Sequence, residues 1–185
     1  DTNNHTIRKV VIATGDVTTL AGSPGLSGST DGTGGTARFN TPYGVTVDGA
    51  GNLFISDYGN HTIRKVVIAT GAVTTVAGTA GMSGSADGTG SAARFYLPQD
   101  VAADGAGNLF VADTFNHTIR KVVIATGAVT TLAGTAGMSG STDGTGAAAL
   151  FNKPASVAVD GAGNLLVADY LNHTIRKVVI ATGVV

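Results

Sequence analysis

The sequence predicts an all-β fold built from repeated units of four antiparallel strands. Two observations lead there. The 185 residues include 28 Gly and no Glu, with Val and Thr plentiful, a composition that favours strands and tight turns over helices. The segment Asn-His-Thr-Ile-Arg-Lys-Val begins at Asn4, Asn60, Asn116 and Asn172, a step of 56 residues each time. Phe39, Phe95 and Phe151 keep that step, as do Pro42, Pro98 and Pro154, and Asp48, Asp104 and Asp160. A fixed period of this size marks a repeat architecture, in which each unit buries its faces against its neighbours.

Within one unit the elements follow in order. Gly44 to Asp48 is a short β-branched run, and Asp48-Gly49-Ala50-Gly51-Asn52 is a turn, because Gly and Asn tolerate positive φ. Asn52 to Asp57 is a second strand, and Tyr58-Gly59-Asn60 turns the chain again. His61 to Ile68 is a third strand, Ala69-Thr70-Gly71 a third turn and Ala72 to Ala77 a fourth strand. Four strands joined by tight turns read as an antiparallel meander. The strands are apolar at successive positions, as in Val66-Val67-Ile68, so both sheet faces are expected to be covered. A stretch rich in Gly, Ser, Ala and Thr, such as Gly78 to Pro98, leads to the next unit. Its fixed Asp-Gly-Thr-Gly at Asp31, Asp87 and Asp143, each followed by a Phe, argues for an ordered loop over a flexible linker.

Four-stranded antiparallel units of fixed period are β-propeller blades. The residues also carry a family resemblance. Gly44-Val45 and Val47-Asp48, the Asp48-to-Asn52 hairpin, Ser56-Asp57, and Asn60-His61-Thr62-Ile63-Arg64 recur in register one and two units later, with Ala112-Asp113 and Ala168-Asp169. In this the chain resembles the NHL-repeat β-propellers over nearly its whole length. The long loop departs from the family by lengthening the unit.

The units divide as 1–22, a partial blade of two outer strands; 23–78 and 79–134, blades with long lead-in loops; and 135–185, an incomplete blade. About three blades per chain, incomplete at both ends, cannot close a ring, since propellers need about four to eight. Exposed blade faces and strand edges invite association. The expected partner is the chain itself, with a six-bladed dimer closed by strand exchange preferred, or the missing blades of a longer chain. An open head-to-tail fibre is the other geometric solution. The 17 residues beyond three periods supply one third strand too many for a simple dimer. The near identity of the units also fits an engineered or recently amplified array.

Composition excludes several functions. There is no Cys, hence no disulfide framework and no thiolate metal site. A formal net charge of -1 removes the bulk electrostatic case for nucleic acid or an anionic membrane. No apolar run is long enough for a membrane-spanning helix. No secretory leader opens the sequence, and the first residue is Asp, not Met. The compartment stays open, with an extracellular or periplasmic one preferred.

The recurring polar motifs are the candidates for chemistry. His5, His61, His117 and His173 occupy equivalent positions in separate blades, so they cannot converge on one ion, and a structural turn role is expected. The basic pairs at Arg8, Arg64, Arg120 and Arg176 could form a stripe for nucleic acid, as the resemblance implies for some family members. The reading preferred is structural, with Arg64 between blades and paired to Asp57, and Asp113 and Asp169 in the same role. Asn-His-Thr is also an N-glycosylation pattern, explained more cheaply as a recurring structural motif. One carboxylate per Asp-Gly-Thr-Gly loop is too few for calcium, so Asp31, Asp87 and Asp143 are expected to cap backbone N–H groups of their own turns. No nucleophile–base set, metal site or cofactor is expected.

The units differ mainly at their second turns and at the approach to the first strand. In an up-and-down meander these lie on one side of the disc. Tyr43, Tyr58, Tyr96, Gln99, Asp100, Phe115, Lys153 and Tyr170 fall there, and aromatic residues are favoured in binding surfaces. The function expected is a non-catalytic scaffold or binding module that presents this face to a protein or other ligand. A metal-dependent lyase, which the resemblance implies for some propellers, and a structural fibre subunit are the alternatives.

Overall fold

The computed structural model describes residues 1–185. Four antiparallel sheets follow one another along the chain. The first has two strands, β1 (Ile7–Val10) and β2 (Val17–Ala21). The second has five: β3 (Gly32–Thr33), β4 (Pro42–Val47), β5 (Asn52–Asp57), β6 (Thr62–Val67) and β7 (Ala72–Ala77), in the order β4-β5-β6-β7-β3. The third repeats this with β8 (Gly88–Thr89), β9 (Asp100–Ala103), β10 (Asn108–Asp113), β11 (Thr118–Val123) and β12 (Ala128–Ala133). The fourth holds β13 (Pro154–Val159), β14 (Asn164–Asp169) and β15 (Thr174–Val179). The first strands β4, β9 and β13 lie side by side, so the sheets radiate from a common inner edge.

The hydrophobic core lies between sheets. Phe54 and Ile63 of the second sheet pack with Phe95, Val101, Leu109 and Val111 of the next unit. Phe110 and Ile119 pack onward with Phe151, Leu165 and Val167. Neighbours in a strand point to opposite faces, and both faces are covered. Phe54 thus enters one inter-sheet core and Ile55 the preceding one. This is the physical reason for apolar residues at successive positions.

Strand limits differ from the sequence reading at the starts of the first and third strands, and each of these also ends one residue earlier, at Val47 and Val67. The first strand begins at Pro42 rather than Gly44. The third begins at Thr62, because Tyr58–Asn60 form a 3-10 turn that ends on His61 at φ 60, a left-handed conformation no strand accommodates. The long loops are ordered and hold a fifth strand that the sequence reading missed. Gly32–Thr33 pairs with β7, and Gly88–Thr89 with β12. Backbone bonds from Gly90 N–H to Gly127 C=O (2.9 Å) and from Gly84 N–H to Phe95 C=O (3.1 Å) tie the loop down.

Candidate functional site

Two constellations occupy the motifs picked out above. The first is an ion-pair frame. Arg64 is fully buried, and its Nη1 donates to Asp57 Oδ2 at 2.8 Å and to the Arg38 carbonyl at 3.0 Å. Its Nη2 donates to Asp31 Oδ1 at 2.7 Å. Arg120 repeats this with Asp113 (2.9 Å) and Asp87 (2.7 Å). Arg176 repeats it with Asp169 (3.2 Å) and Asp143. Each guanidinium also lies over the Phe of its own lead-in loop, 5.3 Å from the Phe39 and Phe151 centroids and 5.4 Å from Phe95. Arg8 differs. It is partly exposed, and its nearest carboxylate is Asp1 at 3.8 Å.

One expectation is corrected here. Asp31 and Asp87 do not cap their own turns. Asp31 accepts from Arg64 and from the N–H (3.2 Å) and hydroxyl (3.1 Å) of Thr75, and Asp87 does the same with Arg120 and Thr131. They do accept a backbone N–H, but from the fourth strand across the sheet, and a guanidinium that is fully buried requires a carboxylate partner, which a local turn bond would take away. Asp143 likewise accepts from Arg176. Burial pushes the Asp57 carboxyl up from its usual range, and pushes Asp113 to about 6, with the Arg120 charge pulling the other way. Asn60 and Asn116 are buried too. Each amide donates to the nearby carboxylate, Asp57 at 2.8 Å and Asp113 at 2.7 Å, which leaves no room for a glycan at either position.

The histidines link consecutive units. The Nδ1 atoms of His5, His61 and His117 accept the backbone N–H of Thr41 (3.0 Å), Leu97 (3.1 Å) and Lys153 (3.1 Å), each in the following unit. Those three residues sit at φ 55, 51 and 53, a conformation that costs non-Gly residues about 1–3 kcal/mol and needs outside support. His173 occupies the same turn position at φ 57. Burial lowers the pKa of His61, and burial with the Lys153 charge lowers that of His117. Nowhere do three His or Asp side chains gather as a metal site would require.

The second constellation is the variable face. Gly59 N–H donates to Asn40 C=O (2.9 Å), and Phe115 N–H to Tyr96 C=O (3.2 Å). Second turns therefore join the lead-in segments on one side of the molecule. There Tyr43 and Tyr58 lie 4.9 Å apart, centroid to centroid. Tyr96 lies 5.4 Å from Phe115 and edge-on to His61 at 5.8 Å. The Lys153 ammonium stands 4.4 Å over the Phe115 ring. Burial, with Tyr43 and Tyr96 nearby, raises the Tyr58 pKa. His61, whose N–H donates to the Tyr58 carbonyl (3.2 Å), links the two pairs through its edge-on contact with Tyr96. Tyr170 is the most exposed of the tyrosines and joins none of these ring pairs. Asp100 turns inward and accepts the Ser156 hydroxyl (2.6 Å) and the Val157 N–H (3.0 Å). Gln99 contributes its carbonyl to Gly44 N–H (3.0 Å) and to the Ser56 hydroxyl (2.8 Å).

Radial antiparallel sheets with this repeated turn chemistry agree with comparison to known proteins. The NHL repeat matches at residues 39–66, 95–122 and 151–178. The chain belongs to the NHL-repeat β-propellers. NHL repeat-containing protein 2 of Bos taurus is 34% identical over 157 residues, 79% of this chain and 22% of that protein. This NHL chain therefore spans about a fifth of that relative's length. A Caenorhabditis elegans protein named as a peptidyl-alpha-hydroxyglycine alpha-amidating lyase is 32% identical over 88 residues, covering 47% of this chain and 24% of its own length. Among solved structures, a Bacteroides thetaiotaomicron protein of unknown function superposes with TM-score 0.79 at 28% identity, covering 95% of the NHL chain and 42% of its own. An auxiliary nutrient binding protein from Bacteroides ovatus follows at TM-score 0.72 and 26% identity, covering 95% and 43%.

Proposed function

We propose that this NHL propeller arc is a non-catalytic binding module that presents its variable face to a ligand. The observation that carries the reading is the run Tyr43–Tyr58–Tyr96–Phe115–Lys153. These side chains occupy positions where the repeats differ, yet they form two ring pairs on one side of the molecule, with the His61 ring between Tyr58 and Tyr96. Within each unit the lead-in segment and the second turn contribute rings to one pair, and His61 and Lys153 extend the contacts to the neighbouring unit. Similarity to a nutrient binding protein supports the same reading. A thermal-shift screen against peptides, saccharides and small metabolites tests it, since a ligand that binds only the folded state raises the melting temperature. A stabilising ligand should lose its effect on a Tyr96→Ala/Phe115→Ala variant. A shift unchanged by that variant places the site elsewhere.

We further propose that the module associates with itself through its terminal sheets. Val10, Ile12 and Val17 are exposed on the first sheet, and Leu166 and Ile175 on the last. A cavity of about 500 Å³ lined by Ile7, Val45, Val47 and Leu53 opens beside β1. The exposed groups lie on terminal sheets that lack the neighbouring sheet which covers their equivalents inside the chain. Sedimentation should give two chains for a ring, or a polydisperse series for a fibre, and a folded monomer at high concentration refutes both. The lyase relative favours a second reading for the enzyme class, which a stoichiometric metal in purified protein would support.

A further inference from the structure

The first and last sheets are complementary parts of one sheet. β1 and β2 stand where a unit has its third and fourth strands, and β13, β14 and β15 where it has its first three. Both sheets thus hold a third strand, and its sequence is the same in each. Asn4–Gly15 and Asn172–Gly183 are identical over twelve residues. Every contact that β15 makes with β14 can therefore be made, side chain for side chain, by β1 of another copy.

The exposed groups show what each sheet lacks. In the inner units the second strand sends Phe54 and Phe110 into a seam, and both are fully buried. Their counterpart on β14, Leu166, is 40% exposed. The surface that would receive it is open as well. Val101 and Leu109 are buried beside Phe54. The equivalent of Val101, Val45, is 56% exposed, and with Leu53 it lines the cavity of about 500 Å³ at the free edge of β1. Ile7 of β1 already covers the outer part of this seam, packed with Phe39 and Ile55. Ile175, the same residue on β15, stands 73% exposed. The cavity is therefore short of a second strand, and the third strand beside it is in place.

The arginine of β1 is short of partners too. In the inner units this guanidinium is held by an Asp at the end of the second strand and by an Asp and a Phe of the lead-in loop. Arg8 has only Asp1, at 3.8 Å. Beside β14 it would meet Asp169, Asp143 and Phe151, the set that Arg176 holds.

Resting on the reading that the terminal sheets associate, we propose that two copies of this chain exchange strands. The β1–β2 hairpin of each copy displaces β15 of the other and pairs with β14, and Leu166 enters the cavity. The identical residues replace the contacts of β15 one for one. β2 then adds a full fourth strand where the last unit has only the Val184 bridge to Thr145. Exchange of an identical element is a low-cost route to a dimer. Two complete sheets from each copy and two shared ones make a closed ring of about six blades, within the range that propellers use.

The chain has no Cys, so introduced thiols report on single contacts. In the exchanged sheet Lys9 takes the place of Lys177 opposite Leu166. A Lys9→Cys/Leu166→Cys variant should form a two-chain disulfide on mild oxidation, because opposite residues of paired strands lie within disulfide reach. Thr18→Cys/Leu166→Cys places the first thiol one strand further out and should not. Sedimentation is the second measurement, and the wild type should have the mass of two chains. Leu166→Asp changes a side chain that one copy exposes and the dimer buries, so it should weaken the dimer at least tenfold. Ile175→Asp should leave the dimer intact, because exchange expels β15. A dimer that Ile175→Asp breaks, or that Lys9→Cys/Leu166→Cys does not cross-link, overturns strand exchange while the association reading stands. A ladder of larger cross-linked products overturns closure by two copies. A wild-type monomer at high concentration overturns both readings.

Discussion

Arg64 shows how much one side chain can hold. It is fully buried, and its guanidinium joins the buried Asp57, the half-exposed Asp31 and the carbonyl of Arg38. Removing one partner of a buried pair leaves an uncompensated charge, at a cost of about 3–5 kcal/mol. Arg64→Ala should therefore unfold at much lower urea, with a loss of that size. Asp31→Asn should cost about 1 kcal/mol or less, because an exposed carboxylate is screened by water. Equal losses in the two urea titrations would contradict the division of roles. The histidines make a pH prediction. Burial holds the folded pKa of His61 and His117 below the ordinary 6.5. Their contribution to stability is thus whole above 6.5 and is lost as pH falls through the folded values, where protonation removes the Nδ1 acceptor. Asp113 has the opposite sign. Raised to about 6, it favours the folded state below about 3.8, and that gain is lost as pH rises through 6. Asn at positions 61 and 117 keeps an acceptor and tolerates positive φ. A His61→Asn/His117→Asn variant should lose less stability than wild type between pH 7 and pH 5.

At the scale of elements, the long loops act as parts of the sheets. Gly32–Thr33 and Gly88–Thr89 add an outer strand, and the Asp before each enters the ion-pair frame. The loop leaves the fourth strand through a glycine that no other residue replaces cheaply. Gly78 has φ 92, and a Cβ there would meet the His61 carbonyl oxygen at 2.5 Å. Gly78→Ala should lower stability by more than about 1 kcal/mol, read as a lower melting temperature in calorimetry, and should loosen the following loop to limited proteolysis. The four-strand meander was legible from its turns, because Gly and Asn at fixed positions dictate local dihedrals. The outer strand was not, because a two-residue Gly-Thr run is too short to show a strand pattern and is held only by a partner dozens of residues away.

For the whole molecule, stability resides in the seams between sheets. Phe39, Phe95 and Phe151 each fill one seam. Phe95→Ala should cost about 3–5 kcal/mol, and chemical unfolding should report it as strongly as a change inside a strand. Each sheet contacts only its neighbours, so a terminal sheet leaves uncovered the kind of surface that packs internally elsewhere in the chain. That is the basis for expecting exposed terminal sheets to associate.

The sequence by itself determined the repeat, its period, the meander and the family, since these depend on local turn chemistry and on residues recurring in register. It also showed which side of the unit varies. Only the tertiary structure decided where the variation leads. Asp31 meets Arg64 across 33 residues, His61 meets Leu97 across 36, and the His61 ring stands edge-on to Tyr96 of the next unit. Such meetings depend on how far one sheet is rotated against the next, a quantity set by packing in the seams and encoded in no single segment.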